Sequence, residues 1–230
     1  MKKIRLSILI PAYNDAETIG EVVKEANGVA RKVTTDYEIR VINDASHDDT
    51  EKVLNKLAKV YPKLVWSTHK INAGYGGTIK DLYLSAKYEW QFSVPGDNQY
   101  SPYEIEKLIP YTDRADMIIG WRVNRHDPPG RLKQSHIYNS LLRFFYHLPT
   151  KDVNSVRLMK TEIIKKINLT TSSAFVDAEL VIDSFRSGFK IIEIPIDHKA
   201  RNEESGAGGG SLKTILPTIS DMVRYLFIRS

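Results

Sequence analysis

Short apolar runs alternate with helix-period segments through the first 120 residues, and this alternation restricts the chain more than any other feature. Ile4 to Ile10 reads as a buried strand. Ile19, Val22, Val23, Ala26 and Ala30 then recur at helical spacing, with Asp15 as the expected N-cap. Tyr37 to Ile42 is a second strand, closed by Asn43-Asp44-Ala45-Ser46. Ser46 and Asp49 next offer a capping box for a helix with Val53, Leu54, Leu57 and Val60 on one face. Leu64 to Ser67 is a third strand, followed by a glycine loop "NAGYGGT" and a helix expected from Thr78 to Tyr88. Trp90 to Val94 and Met117 to Ile119 supply further strands around a helix near Pro102 to Leu108. Strands and helices alternating at this spacing predict an α/β fold with a mostly parallel central sheet and helices on both faces. Ligands on such sheets bind beyond the C-terminal strand ends. Here those ends carry Pro11-Ala12-Tyr13-Asn14, Asn43-Asp44, His69 to Asn72 and Gly96-Asp97-Asn98-Gln99.

The second half is less regular. Residues 131–148 place Ile137, Leu141, Phe144, Phe145 and Leu148 on one helix face, with Arg131, Lys133 and Arg143 elsewhere. A strand at Val156 to Met159, a helix around Ala178 to Phe185 and a strand at Lys190 to Ile194 follow. After a Gly- and Ser-rich stretch, residues 212–228 return to helical periodicity. Such stripes are ordinary in core helices, yet aromatic clusters beside Arg and Lys also suit a membrane interface. Without an internal repeat or a separating linker, residues 1–230 are expected to form one domain.

Composition excludes several classes. The 230 residues carry 33 basic and 28 acidic side chains, a formal charge of +5 that suits an anionic ligand or a membrane surface and does not by itself indicate a nucleic-acid binder. With no cysteine, disulfides, thiolate zinc sites and a cysteine nucleophile are absent. The N-terminal "MKKIRLSILIPAYND" lacks a small-residue cleavage site and reads as a strand. No apolar run reaches the ~18 residues of a membrane span. The default address is cytoplasmic. An enzyme peripheral to the membrane and a segment of a longer protein both fit a sequence of this extent.

The blocks "SILIPAYNDAETIGEVV", "VINDASHDDT", "NAGYGGT", "PGDNQYSP", "GWR" and "FVDAELVIDSFRSGFKIIEIPI" occur in order with a later Arg and Ser loop. Together they resemble glycosyltransferase family two, of the GT-A fold, in the branch of dolichyl-phosphate mannose synthase and bacterial polyprenyl-phosphate sugar transferases. The resemblance covers roughly residues 4–213. It implies an inverting hexosyltransferase that moves a sugar from a nucleotide-diphosphate donor, UDP- or GDP-linked, to polyprenyl phosphate. It further implies peripheral contact with the cytoplasmic face of a membrane, in cell-envelope glycan assembly, and no nucleic-acid partner. A same-fold transferase to a sugar hydroxyl and a non-catalytic nucleotide-sugar-binding subunit are the alternatives. Base, sugar, lipid length and oligomeric state are not legible.

The resemblance also assigns roles. Pro11, Tyr13, Asp15, Asp44 and Asn72 would line the donor site, with Asp44 on the nucleotide. The usual Asp-Asp-Gly-Ser is Asn43-Asp44-Ala45-Ser46, and Asp15 stands where the family has Glu. The family's Asp-x-Asp-x-Gln metal motif reads Pro95-Gly96-Asp97-Asn98-Gln99, which leaves Asp97 and Gln99 for Mg2+ or Mn2+. Magnesium commonly uses one or two carboxylates with waters and substrate phosphates, so a thinned site still fits. Arg122, Arg131 and Arg201 match family positions for the acceptor phosphate, and Arg125 joins them on charge alone. Glu179 would orient acceptor or donor, placing it with Asp97 and Arg122 among the catalytic candidates. Asp177 also reads as a simple helix N-terminal charge. No GxGxxG follows the first strand, which disfavours a Rossmann oxidoreductase.

Overall fold

The computed structural model describes residues 4–123, 125, 127–199 and 212–228. Its sheet has seven strands in the order β3-β2-β1-β4-β6-β5-β7. These are β1 (Leu6–Ala12), β2 (Tyr37–Asn43), β3 (Leu64–Thr68), β4 (Trp90–Ser93), β5 (Met117–Arg122), β6 (Arg157–Lys160) and β7 (Ile191–Ile196). Strands β1 to β4 run parallel, β5 pairs parallel with β7, and β6 is antiparallel to both β4 and β5. The first strand lies two residues later than its apolar run suggests. Pairing with β2 runs from Leu6 opposite Tyr37 to Ala12 opposite Asn43, so backbone register sets the limits.

Period-two alternation sends β1 side chains to two cores. Leu6, Ile8, Ile10 and Ala12 pack with Ile19, Val22, Val23 and Ala26 of α1 (Ile19–Val33) and Leu54 of α2 (Thr50–Val60). Leu9 packs on the other side with Ile79 and Leu82 of α3 (Gly74–Ser85), Leu142 of α5 (Pro129–Tyr146), Ile163 of α6 (Thr161–Lys166), and Leu180 of α7 (Val176–Arg186). Met222 and Tyr225 of α8 (Leu212–Ile228) join this second core. The short α4 (Ile105–Leu108), between 3-10 turns at Pro102–Glu104 and Ile109–Tyr111, caps the first. Helices thus cover both faces, as the strand–helix alternation requires. The crossovers from β1 go to β2 and β3 on one side and then to β4 on the other. That reversal opens a crevice beyond the C-terminal end of β1.

Three local expectations are corrected. Thr18, not Asp15, is the N-cap of α1, and Asp15 instead lends its backbone oxygen to the N–H groups of Thr18 and Ile19. The Ser46–Asp49 capping box does not form: Ser46 Oγ is drawn to Asn43, and Asp48 takes the N–H and hydroxyl of Thr50. Helix α3 begins at Gly74, four residues before Thr78, because the glycine segment is its first turn. A Cβ on Gly76 would lie 2.3 Å from Ser172 O and 2.6 Å from Ser173 O, so only glycine allows this seating on the 172–173 backbone. Close packing overrides the poor helix propensity of three glycines.

The apolar faces of the two amphipathic stretches are only partly used. Leu148 is buried, but Ile137, Leu141, Phe144 (73% exposed) and Phe145 are exposed on α5. Leu216, Ile219, Val223 and Phe227 (82% exposed) form a second exposed stripe on α8. Tyr146 OH donates to Met222 O at 3.2 Å and joins the two helices. Among the described residues no helix is long and apolar enough to cross a membrane.

Candidate active site

Four strand-end loops are stitched together at the crevice. Gly96 N donates to Pro11 O at 3.1 Å, and Thr18 Oγ1 donates to Gly96 O at 2.7 Å, which ties the 95–99 turn to the end of β1. Asp44 N donates to Ala12 O at 2.8 Å, Asn14 N to Ser46 Oγ at 2.9 Å, and His47 N to Asn14 Oδ1 at 2.9 Å. Asn43 uses its amide twice, donating to Thr68 Oγ1 at 3.1 Å and accepting from Ser46. The residue that replaces a carboxylate is therefore a turn fastener.

Asn14, Ala45 and Asn98 all have left-handed backbones, with φ of 54°, 55° and 58°. Asparagine tolerates this region, whereas alanine carries a steric cost of about 1–2 kcal/mol there. Ala45 stands where the resemblance expects glycine, which accounts for that glycine physically. The three residues sit at the ends of β1, β2 and β4, a clustering typical of sites where strain serves function.

At the end of β2, Asp44 is buried, and its Oδ1 accepts from Ala73 N at 2.7 Å and lies 2.8 Å from His69 Nδ1. Asn72 closes the same loop by donating from Nδ2 to Asp44 O at 2.9 Å. Tyr13 meets His47 edge to face, with ring centroids 6.4 Å apart. Asp15 is buried, and its Oδ2 accepts from Tyr13 N at 2.9 Å. Pro11, Tyr13, Asp15, Asp44 and Asn72 thus belong to one connected loop cluster.

The Asp97–Gln99 turn lies beside it. Asp97 Oδ1 accepts from Gln99 N at 3.1 Å, and Lys199 N donates to Gln99 O at 2.9 Å. The neighbouring His198 is buried, edge-on to Tyr100 with centroids 5.1 Å apart, and its Nδ1 has no partner among the described residues. Burial and the Arg122 charge push its pKa down to about 4 against the pull of Asp127, leaving a neutral imidazole. Gln99 Nε2 is likewise buried without a partner among the described residues, and with the amide turned over that position carries an oxygen. No group of three His, Cys, Asp or Glu side chains able to hold a metal occurs among the described residues. One carboxylate, one amide and one neutral imidazole nevertheless suit a divalent ion that takes its other ligands from a diphosphate and water.

At the end of β5, Arg122 forms a two-pronged pair with Asp152, Nε to Oδ2 at 2.6 Å and Nη2 to Oδ1 at 2.7 Å. Arg125 donates to Asp127 Oδ2 at 2.8 Å and to Ser135 Oγ at 2.7 Å, and Arg131 lies 3.8 Å from Asp127 Oδ1. Arg122, Arg125, Asp127 and Asp152 all act electrostatically on His198, so the cluster adjoins the Asp97–Gln99 turn. Arg201 lies outside the described residues.

Glu179 is placed differently from the expectation of a group facing substrate. It is fully buried in α7, and its two oxygens accept from the N–H and hydroxyl of both Thr170 and Thr171 at 2.6–2.9 Å. It buckles the 170–171 loop against the helix. Its neighbour Asp177 is also buried, ion-paired with Arg157 Nη2 at 2.9 Å and accepting from Tyr75 OH at 3.0 Å. Burial raises the Asp177 carboxyl pKa, and Arg157 opposes the rise. Arg157, Asp152 and His198 escaped the sequence reading. His198 had a usable signal, since it follows a strand pattern at the sheet end that holds the other site loops.

A nucleotide-diphospho-sugar transferase fold of the GT-A type, with its site at the strand ends, is the class this architecture defines. Glucosyl-3-phosphoglycerate synthase from Mycobacterium tuberculosis, crystallised with Mg2+ and uridine diphosphate, superposes with a TM-score of 0.72 at 14% identity. That superposition covers 99% of this chain and 81% of that one. Residues 7–167 match the family described as glycosyl transferase family 2, and the chain belongs to it. Undecaprenyl-phosphate 4-deoxy-4-formamido-L-arabinose transferase of Edwardsiella ictaluri is 25% identical over 96% of this chain and 67% of its own length. Dolichyl-phosphate beta-glucosyltransferase of Saccharomyces cerevisiae is 26% identical over 98% of this chain and 76% of its own.

Proposed function

We propose that this glycosyltransferase moves a sugar from a nucleoside-diphosphate donor, UDP- or GDP-linked, to the phosphate of a polyprenyl phosphate, with inversion at the anomeric carbon. The observation that carries the reading is the adjacency of the Asp97–Gln99 turn to the Arg122, Arg125 and Arg131 cluster. One side suits a diphosphate and the other a second phosphate. The names of the two relatives above support the acceptor class.

Pro11, Tyr13, Asp15, Asp44 and Asn72 receive the nucleoside, with Asp44 on the base. Asp97 and Gln99, joined by His198, would hold Mg2+ or Mn2+. Such an ion, when bound, supplies Lewis-acid neutralisation of charge on the departing diphosphate. The acceptor oxygen attacks the anomeric carbon, a carbon–oxygen bond forms to the lipid phosphate, and the bond to the diphosphate breaks. A phosphate monoester has its second pKa near ~6, so the nucleophile is already anionic at neutral pH and needs positioning more than a general base. Arg122, held rigid by Asp152, and Arg131 supply that positioning, with Arg201 as a further phosphate contact. Glu179 contributes indirectly, by fixing the 170–171 loop beside α7.

Membrane contact is peripheral. The exposed apolar residues of α5 share that helix with Arg131, Lys133 and Arg143, the pattern of an interfacial surface that also attracts anionic lipid, and the exposed stripe of α8 adds further apolar area. Incubating the chain with radiolabelled UDP- and GDP-sugars, Mg2+ and polyprenyl phosphate tests the function. Label passing into the organic phase with the lipid supports it, and transfer only to a sugar hydroxyl overturns the acceptor assignment. Asn43 and Pro95, where the family has carboxylates, favour as a second reading a nucleotide-sugar-binding chain without turnover. Donor binding with no transfer to any acceptor would establish that one.

A further inference from the structure

Strand order lays out the path of a donor along the crevice. Asp44 follows the end of β2, the Asp97–Gln99 turn follows β4, and Arg122 ends β5. Between β4 and β5 lies β6, which runs antiparallel to both and therefore starts at this same edge of the sheet. Its first residue, Arg157, stands opposite Ser93 of β4 and Ile119 of β5. Neighbouring strands lie about 5 Å apart, so about 10 Å separates β4 from β5, a span on the scale of one sugar ring. In a transfer with inversion the anomeric carbon lies between the oxygen that leaves and the oxygen that attacks. The sugar then sits between the Asp97–Gln99 turn and Arg122, over the start of β6.

Hydrogen-bonding capacity is left over at that place. Arg157 Nη2 donates to Val153 O at 3.0 Å and to Ser155 O at 3.2 Å, while Nη1 is buried without a partner among the described residues. Asp177 Oδ1, in the first turn of α7, lies 2.9 Å from Arg157 Nη2 but accepts no hydrogen bond among the described residues. Tyr138 of α5 is within electrostatic range of both, and its buried hydroxyl is also without a partner among the described residues. A buried polar group left unmet costs about 1–3 kcal/mol. Tyr75 connects this cluster to the crevice: its hydroxyl donates to Asp177 Oδ2 at 3.0 Å, and the residue is 44% exposed.

We propose that Arg157 Nη1, Asp177 Oδ1 and the Tyr138 hydroxyl bind the hydroxyls of the donor sugar, with the Tyr75 ring as the wall of that subsite. The inference rests on the donor-site reading of the Asp44 and Asp97 loops. The Arg157–Asp177 pair is neutral overall and offers both a donor and an acceptor, which suits a polyhydroxyl ring; an anion would meet the Asp177 carboxylate. Tyr138 lies about two turns beyond Arg131 on α5, so one helix serves both the sugar and the acceptor phosphate.

Tyr138→Phe separates this role from a structural one. It deletes a buried hydroxyl that has no partner among the described residues, so Tm should hold or rise, while the sugar-bearing donor should bind less tightly. Calorimetry in Mg2+ compares UDP with UDP-glucose and UDP-N-acetylglucosamine, and GDP with GDP-mannose, in the wild type, Tyr138→Phe and Tyr75→Phe. The readout is the affinity of each nucleotide sugar relative to its own nucleoside diphosphate. Contacts to the base, ribose and diphosphate cancel when that ratio is compared between proteins. We expect Tyr138→Phe to lower it about five-fold or more for the preferred donor, the scale of one lost hydrogen bond, and to leave the bare nucleotide unchanged. A hydroxyl met by water alone leaves the ratio unchanged for every sugar, and that result overturns the proposal. Should Tyr138→Phe fail to fold in thermal melts, Tyr75→Phe, which frees Asp177 Oδ2, decides by the same ratio. Wild type that binds neither UDP nor GDP defeats the donor-site reading itself, whereas nucleotide binding with an unchanged ratio defeats the sugar subsite alone.

Discussion

Replacing Arg157 with methionine isolates the most consequential buried charge in the fold. Arg157 is 1% exposed, reaches Asp177 at 2.9 Å and donates to Val153 O at 3.0 Å. Methionine keeps most of the volume and none of the charge, so Asp177 becomes a buried carboxylate whose remaining partner among the described residues is the Tyr75 hydroxyl. Breaking one side of a buried pair costs about 3–5 kcal/mol, because the remaining ion stays desolvated. At about 2–4 °C per kcal/mol for a chain of this size, Tm should fall by about 6–20 °C. Adding Asp177→Asn removes the stranded charge and keeps an acceptor for Tyr75, so the double variant should recover about 2 kcal/mol or more over Arg157→Met alone.

The pH dependence has a definite sign. Burial already raises the Asp177 pKa, and loss of Arg157 raises it further. A carboxyl with a raised folded-state pKa binds more protons folded than unfolded, so its stability deficit shrinks as pH falls through that pKa. The Tm gap between Arg157→Met and wild type should therefore narrow from pH 7.5 to pH 5.5. Denaturation followed by circular dichroism measures each quantity. A double variant no more stable than Arg157→Met, or a gap that widens on acidification, would refute the stranded-charge argument.

Ala45→Gly relieves a left-handed alanine at φ 55°, worth about 1–2 kcal/mol, against about 0.4–1 kcal/mol of added unfolded-state entropy. A small rise in Tm is expected, and a fall would count against strain at this loop. Gly76→Ala drives a methyl into the 172–173 backbone, so it should cost about 1–3 kcal/mol and reduce transfer, as melts and turnover would register. Phe144→Ser with Phe227→Ser removes two exposed rings, each worth up to about 1.5–3 kcal/mol when buried. Sedimentation with anionic vesicles should drop at least about ten-fold while Tm stays put, and unchanged sedimentation would sink the membrane assignment.

Strand–helix alternation made the sheet and both helical layers legible, because buried parallel strands and their covering helices have distinct periods. The placement of Asp44 and Asp97 in loops at strand ends was legible too, since each follows a short apolar run. The start of α3 was not, because the contact that favours it comes from Ser172 and Ser173, about a hundred residues away. Glu179 shows the same limit: an acidic residue at a helix start reads alike whether it faces a substrate or four donors of Thr170 and Thr171. His198 and Arg157 depend on neighbours that only the folded sheet brings together. The exposed apolar stripe on α5 resisted prediction for a further reason, since periodicity finds an amphipathic face without revealing what covers it.

The most direct test is the rate of nucleoside diphosphate release from the preferred donor in Mg2+, with and without polyprenyl phosphate, for the wild type and Asp97→Asn. Release that requires the lipid and falls about a hundred-fold or more in a folded Asp97→Asn variant is the predicted result, on the scale of a lost interaction made to the leaving charge. Release indifferent to the lipid, or equal in the two proteins, would contradict transfer to a lipid phosphate through the Asp97 turn.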